Sequence, residues 1–220
     1  MRMPSRHGFA ASDGIGDDRL TLGPYYTFLA RRSPRGLLQL LSYYKFAAKM
    51  IGPGKRVLDV GCSEGFGTML LAEFADACLG VDQDAEAIAI ASDSVATERL
   101  AFEVGDILAG DIGRFDAVVG LNVIEHIPRE NEEGFMAVAA TALEEDGIFV
   151  VGTPNVSAEK LAGEPLRAAH LNLFDAERLH DLAQRHFSNV FSFSANDEVV
   201  HTGFAPLAQY LIAVCVGPLR

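Results

Sequence analysis

The sequence predicts an α/β protein built on a mostly parallel sheet, and three observations carry that prediction. From residue 56 onward, short β-rich runs alternate with amphipathic stretches, the pattern of a parallel sheet covered by helices. Two of those runs, FDAVVGL and GIFVVGT, have too few polar positions for a half-exposed strand, so they belong in the buried middle of the sheet. A turn with three glycines, within LDVGCSEGFGT (Leu58 to Thr68), lies directly behind the first run.

The first 33 residues are polar and rich in Gly, Ser and Arg, and they are expected to form a flexible arm. Pro34–Ile51 has helical periodicity with a proline near its start, which predicts a docking helix or lid over residues 34–51. One domain is expected over 34–220, with a core at 56–155 and an acceptor-side region at 156–220. Its strands are predicted at Arg56–Val60, Cys78–Val81, Ala101–Val104, Phe115–Leu121 and Ile148–Thr153. A helix follows over Asp175–Arg185, capped by Asp175, and then strands at Val190–Ala195 and Gln209–Val216. The link between these last two holds Gly203 and Pro206 and no helical pattern. A parallel crossover needs about a dozen residues, usually helical, so the seventh strand should be antiparallel.

Composition narrows the function. A chain of 220 residues with 49% hydrophobic content can bury one continuous core. No apolar run approaches the roughly 18 residues of a membrane span, so no membrane insertion is expected and a cytoplasmic location is. Cys62, Cys78 and Cys215 lack the paired spacing of a zinc site or disulfide framework and are read as reduced thiols. A formal charge of −12 repels phosphate backbones, which excludes nucleic acid as the favoured partner. A small-molecule acceptor is expected instead, with a homodimer among the expected assemblies.

Glycines behind a strand let backbone approach a ligand, and the first turn of the next helix offers free N–H groups. That arrangement is a cofactor cradle. The second strand ends in GVDQD, where Asp82 could accept both hydroxyls of a ribose. The third ends in VGDI, where Asp106 could take an adenine amino hydrogen while Ile107 packs on the ring. No Lys follows Gly65 or Gly67, so a P-loop is excluded, and a dinucleotide fingerprint started at Gly61 misses two of its three glycines.

The ordered set VLDVGCSEG, GVDQD, VGDI, FDAVVGLNVIEHI and GIFVVGTPN, from Val57 to Asn155, resembles the class I S-adenosylmethionine-dependent methyltransferase family. The resemblance implies a Rossmann-like fold with S-adenosyl-L-methionine as cofactor. Carried over position by position, it implies cofactor contacts from Asp59, Gly61, Cys62, Ser63, Gly65, Asp82, Gln83, Asp106, Ile107 and Asn122. Ser63 replaces the middle glycine of the family loop, a change suited to a residue that keeps φ negative. Gln83 stands where an apolar residue often meets adenine.

Methyl transfer to a hydroxyl calls for orientation and a base. His126, with Glu125 beside it, follows the fourth strand and is expected to be that base or to orient the acceptor. Related quinone-precursor O-methyltransferases show an E-x-x-E-H pattern linked to a divalent metal; this chain has Asn122 in place of the first carboxylate, so no required metal is expected. Looser resemblance of Ala168–Leu179 and Leu22–Ile51 to methyltransferases of bacterial surface-glycan gene sets adds His170, Asn172, His201 and Tyr43 as substrate-side candidates. The expected reaction is O-methylation of a sugar or sugar nucleotide, ahead of a phenolic or quinone precursor. A non-catalytic S-adenosylmethionine-binding subunit is the rival reading.

Overall fold

A computed structural model describes residues 20–110, 112–158 and 168–220. Residues 1–19 of the expected arm and 159–167 of the acceptor-side region lie outside the described residues. The parallel strands are β1 (Arg56–Val60), β2 (Ala77–Asp82), β3 (Leu100–Val104), β4 (Phe115–Leu121) and β5 (Leu143–Pro154). With β6 (Phe187–Ala195), β7 (Val200–His201) and β8 (Tyr210–Pro218), they form one sheet in the order β3-β2-β1-β4-β5-β8-β6-β7. β8 is antiparallel to both β5 and β6, as the short glycine- and proline-containing link required.

Among the described residues the sheet has eight strands, one more than the sequence pattern shows. The addition is β7, two residues paired with the end of β6, too short to leave a periodic signal. β5 also starts earlier than expected, at Leu143. Its register against β4 shifts between Phe115 and Ala117, and Glu144, Glu145 and Asp146 stay exposed there. An acidic triplet has low strand propensity, which hid this end.

Among the described residues, the layers are completed by the α-helices α1 (Pro24–Arg32), α2 (Pro34–Ile51), α3 (Phe66–Ala72), α4 (Ala85–Val95), α5 (Glu132–Thr141) and α6 (Ala176–Gln184). The expected flexible arm is corrected at α1, which is helical and buries Tyr26 and Leu29. Nine residues make a marginal helix in isolation, so docking sustains it. Asp84 caps α4 and Asp175 caps α6 through their carboxylates, the second as predicted.

Successive strand residues point to opposite faces, and the core divides accordingly. Leu58, Val118 and Phe149 pack with Phe135 and Met136 of α5 and Leu182 of α6. Val57, Val119 and Val150 pack with Ala47 of α2 and Leu71 of α3 on the other face. Both flanks being covered explains the near-continuous apolar runs of β4 and β5. β1 lies between β2 and β4, where strand order reverses. The carboxyl ends of adjoining strands at such a switch point open a crevice, and the glycine turn, Asp82 and Asn122 all stand there.

Candidate active site

A cavity of about 580 Å³ occupies that crevice, within the range of small-molecule sites. It is lined by ten of the twelve cofactor and catalytic positions expected from sequence, Gly61, Cys62, Ser63, Asp82, Gln83, Asp106, Ile107, Asn122, Glu125 and His126, with His170 of the substrate-side candidates joining them.

The loop after β1 brings bare backbone to this space. Gly61 has φ +70°, and a Cβ there would come within 2.5 Å of a Val123 methyl. Ser63 departs from expectation: its φ is +51°, in the left-handed region that costs a non-glycine residue about 1–2 kcal/mol. The compensation is visible, since Ser63 N–H donates to Asp82 Oδ2 at 2.8 Å. Asp84 N–H donates to Asp82 Oδ1 at 3.0 Å. Each oxygen of Asp82 is thereby aimed and retains acceptor capacity for a ribose hydroxyl. Asp106 spends Oδ1 on Leu108 N–H at 2.9 Å, while Ile107 is buried against the cavity and Gln83 is exposed at its rim. Cys62 is buried, and burial with the nearby Asp59 and Asp82 pushes its thiol far up, so it serves as neutral lining.

Two expected cofactor contacts, Asp59 and Gly65, do not line the cavity. Asp59 is fully buried. Its carboxylate accepts from Thr68 Oγ1 of α3 at 2.6 Å and from Tyr44 Oη of α2 at 3.4 Å. Burial pushes its pKa up to about 7 against the lowering effect of those two donors, with Asp82 adding to the rise. Gly65, φ +78°, is needed for packing: a Cβ would meet the Phe102 ring at 2.6 Å.

At the other end of the cavity, Asn122 directly follows β4 with φ +58°, a conformation asparagine tolerates. A 3₁₀ turn over Ile124–His126 then presents Glu125 and His126. Glu125 is buried and accepts from Thr153 Oγ1 at 3.1 Å. Its main-chain carbonyl accepts from Leu171 and Asn172 N–H, at 2.8 and 3.1 Å, which seats the loop carrying His170. His126 Nδ1 lies 3.0 Å from Ala169 O. A carbonyl can only accept, so Nδ1 carries the proton and the neutral ring keeps its lone pair on Nε2. The His126 and His170 rings meet edge to face at 5.4 Å.

Glu125, His126 and His170 each offer a ligand atom within 4.8 Å of the others. The expectation of too few donors for a cation counted only the first two.

Three substrate-side candidates do not line the cavity. Tyr43 stacks on Tyr210 at 4.3 Å, and it is Tyr44, one position on, that reaches the site. Asn172 is buried, donates to Glu132 at 2.7 Å and accepts from Arg178 at 2.9 Å, so it holds the His170 loop. His201 sits on β7, its Nδ1 accepting from Gly203 N–H at 2.9 Å. Tyr25 and Tyr26 line the cavity from α1; the sequence reading placed them within the Leu22–Ile51 region without singling them out as site residues, their local signal being adjacency to Pro24, a helix-start residue.

A Rossmann-like sheet, a glycine cradle under a helix N-terminus and a carboxylate at the second strand end define the class of S-adenosylmethionine-dependent methyltransferases. The chain belongs to the methyltransferase-domain family, whose model matches residues 29–186. Among curated relatives, a Mycolicibacterium smegmatis protein named "Probable S-adenosylmethionine-dependent methyltransferase" is 32% identical over 134 residues, 58% of this chain and 47% of that one. A ubiquinone biosynthesis O-methyltransferase of Glaesserella parasuis is 29% identical over 115 residues, 48% of each chain. The chain spans about half the length of these curated relatives. Among solved structures, a TehB-like methyltransferase of Corynebacterium glutamicum superposes with a TM-score of 0.64 at 22% identity, over 88% of this chain and 94% of that one. A Thermotoga maritima methyltransferase does so at 0.69 and 16% identity, over 88% and 94%. These two show the fold.

The residues present fit S-adenosylmethionine, the cofactor of this family. Bare backbone at Gly61 and Gly105 borders the cavity, side chains at both would crowd Val123 and Val81, and Asp82 stands ready for a diol.

Three outcomes follow from this geometry. Asp82→Ala should weaken S-adenosylmethionine binding by about 1.5–3 kcal/mol, the scale of hydrogen bonds to a charged group, in calorimetric titration. Ser63→Gly should raise unfolding stability by up to about 1 kcal/mol by relieving the left-handed serine, measured by urea denaturation. Asp59, raised from 3.8 to about 7, binds more protons folded than unfolded between those values. Its contribution is therefore fully present below about pH 4 and lost as pH rises through about 7. The stability of the wild type, measured against Asp59→Asn, should fall across that window and level off above it.

Proposed function

We propose that this protein O-methylates a small, uncharged, hydroxylated acceptor, with a phenolic ring favoured over a sugar. When bound, S-adenosylmethionine supplies a methyl group activated on a sulfonium. Every other requirement falls on the chain: hold the acceptor hydroxyl in line, exclude water and remove its proton.

The observation that carries the reading is the hydrogen bond from His126 Nδ1 to Ala169 O. It leaves Nε2 as the basic atom of a ring that lines the cavity, so a hydroxyl within hydrogen-bond reach of Nε2 could pass its proton there as its oxygen gains the methyl carbon. Glu125, buried and held by Thr153, supports the turn beneath the imidazole.

Acceptor class follows from the walls. A sugar nucleotide, expected from sequence, carries a diphosphate that calls for Lys or Arg. Among the described residues lining the cavity there is neither, and Asp82, Asp106 and Glu125 make it acidic. Tyr25, Tyr26, Tyr44, Pro154 and His170 instead provide flat and apolar surface, suited to an aromatic ring. The name of the Glaesserella parasuis relative, a ubiquinone biosynthesis O-methyltransferase, supports the phenolic choice.

The test is turnover on panels of phenols and neutral sugars. His126→Ala should lower the rate by about 10²–10⁴-fold while S-adenosylhomocysteine affinity stays near wild type; full turnover in that variant would reduce His126 to a loop-ordering role. With imidazole as the base, activity should survive exhaustive chelation. Loss restored by a divalent cation would reassign Glu125, His126 and His170 to an ion.

A further inference from the structure

We propose that Glu64 is a positioning residue that latches helix α1 to the glycine loop, so that the tyrosine wall of the acceptor end assembles when the loop takes its cofactor-holding conformation. The first turn of a helix leaves N–H groups without intrahelical partners. In α1 the first position is Pro24, which has no N–H, and the preceding Gly23 has no side chain to cap with. The orphan donors are Tyr25 and Tyr26. Glu64, 39 and 38 residues away, takes both: Tyr25 N–H donates to Oε1 at 2.8 Å and Tyr26 N–H to Oε2 at 2.9 Å. The carboxylate is buried and stands at the positive end of the helix dipole.

The fit is specific on both sides. A Cβ at Gly23 would lie 2.3 Å from the Glu64 carboxylate, so the glycine is what admits it. A second tie runs from Gly67 N–H, in the first turn of α3, to Tyr26 Oη at 3.2 Å. Glu64 directly follows Ser63, whose left-handed backbone is pinned on Asp82. A ligand that orders Gly61, Cys62 and Ser63 therefore also orders the residue that receives α1. Tyr25 and Tyr26, delivered by that contact, line the cavity together with His126 and His170. An ordinary remote cap would stabilise α1 equally with and without ligand; a latch makes α1 respond to it.

The inference rests on the cofactor reading of the loop and not on the identity of the acceptor, so the experiment uses S-adenosylhomocysteine with the full chain. Calorimetric titration and hydrogen exchange over residues 22–32 are compared in the wild type, Glu64→Ala, Gly23→Ala and the double variant. Gly23→Ala blocks the latch from the helix side without altering the glycine loop, and it decides alone should Glu64→Ala fail to fold. Ligand should raise protection of 22–32 in the wild type. Each single variant should abolish that rise and weaken affinity about tenfold, within the usual range of coupling between sites. The double variant should be no weaker than either single one, because both remove one interaction. Wild-type affinity with an intact protection rise in the single variants, or additive losses in the double, would overturn the latch. A wild type that does not bind the ligand would overturn the cofactor reading and the latch together.

Discussion

The carboxylate of Asp59 is the interaction on which the site depends. It is buried beneath the glycine loop at the end of β1 and joins three elements: its own strand, α3 through Thr68 and α2 through Tyr44. A buried carboxyl disfavours its charged form, and two hydroxyl donors only partly offset that. The loop above can then present main chain to the cavity without collapsing onto the sheet, because the polar groups below it are already satisfied.

Three carboxylates surround this one loop and divide the work by position. Asp59 supports it from below, Asp82 pins Ser63 from the side, and Glu64 reaches across to α1. The Ser63 conformation is a local strain that persists because its N–H has a charged acceptor, as expected of strained residues at functional sites. An acidic crevice also suits a cationic cofactor, which fits the net charge of the chain.

The acceptor end is built by a different device. Glu125 is held through its side chain by β5 and through its carbonyl by the loop at 171–172. That loop is in turn tied down by Glu132, Arg178 and Asn172, with the Arg178 guanidinium over the Phe174 ring at 4.0 Å. His126 and His170 are thus brought together by a polar network that lies outside the cavity. Asn172, which looked like a substrate contact from its neighbourhood in the chain, belongs to that support.

The sequence alone determined the parallel sheet, the antiparallel last strand, and the placement of the glycine turn and Asp82 at the strand ends that border the cavity. Each of these is written in local terms: side-chain period, crossover length, and turn chemistry beside a strand end. It did not determine β7, whose two residues have no period, or the bulged start of β5, whose acidic residues look like loop. Nor could it choose between Tyr43 and Tyr44, because the rotation of α2 about its axis is set by what it packs against. The sign of φ at Ser63, the pairing of Glu64 with α1 and the meeting of His126 with His170 were decided only by tertiary structure. All three join chain segments far apart in sequence, and contacts of that kind leave no trace in local pattern because their free energy comes from groups the local pattern does not contain.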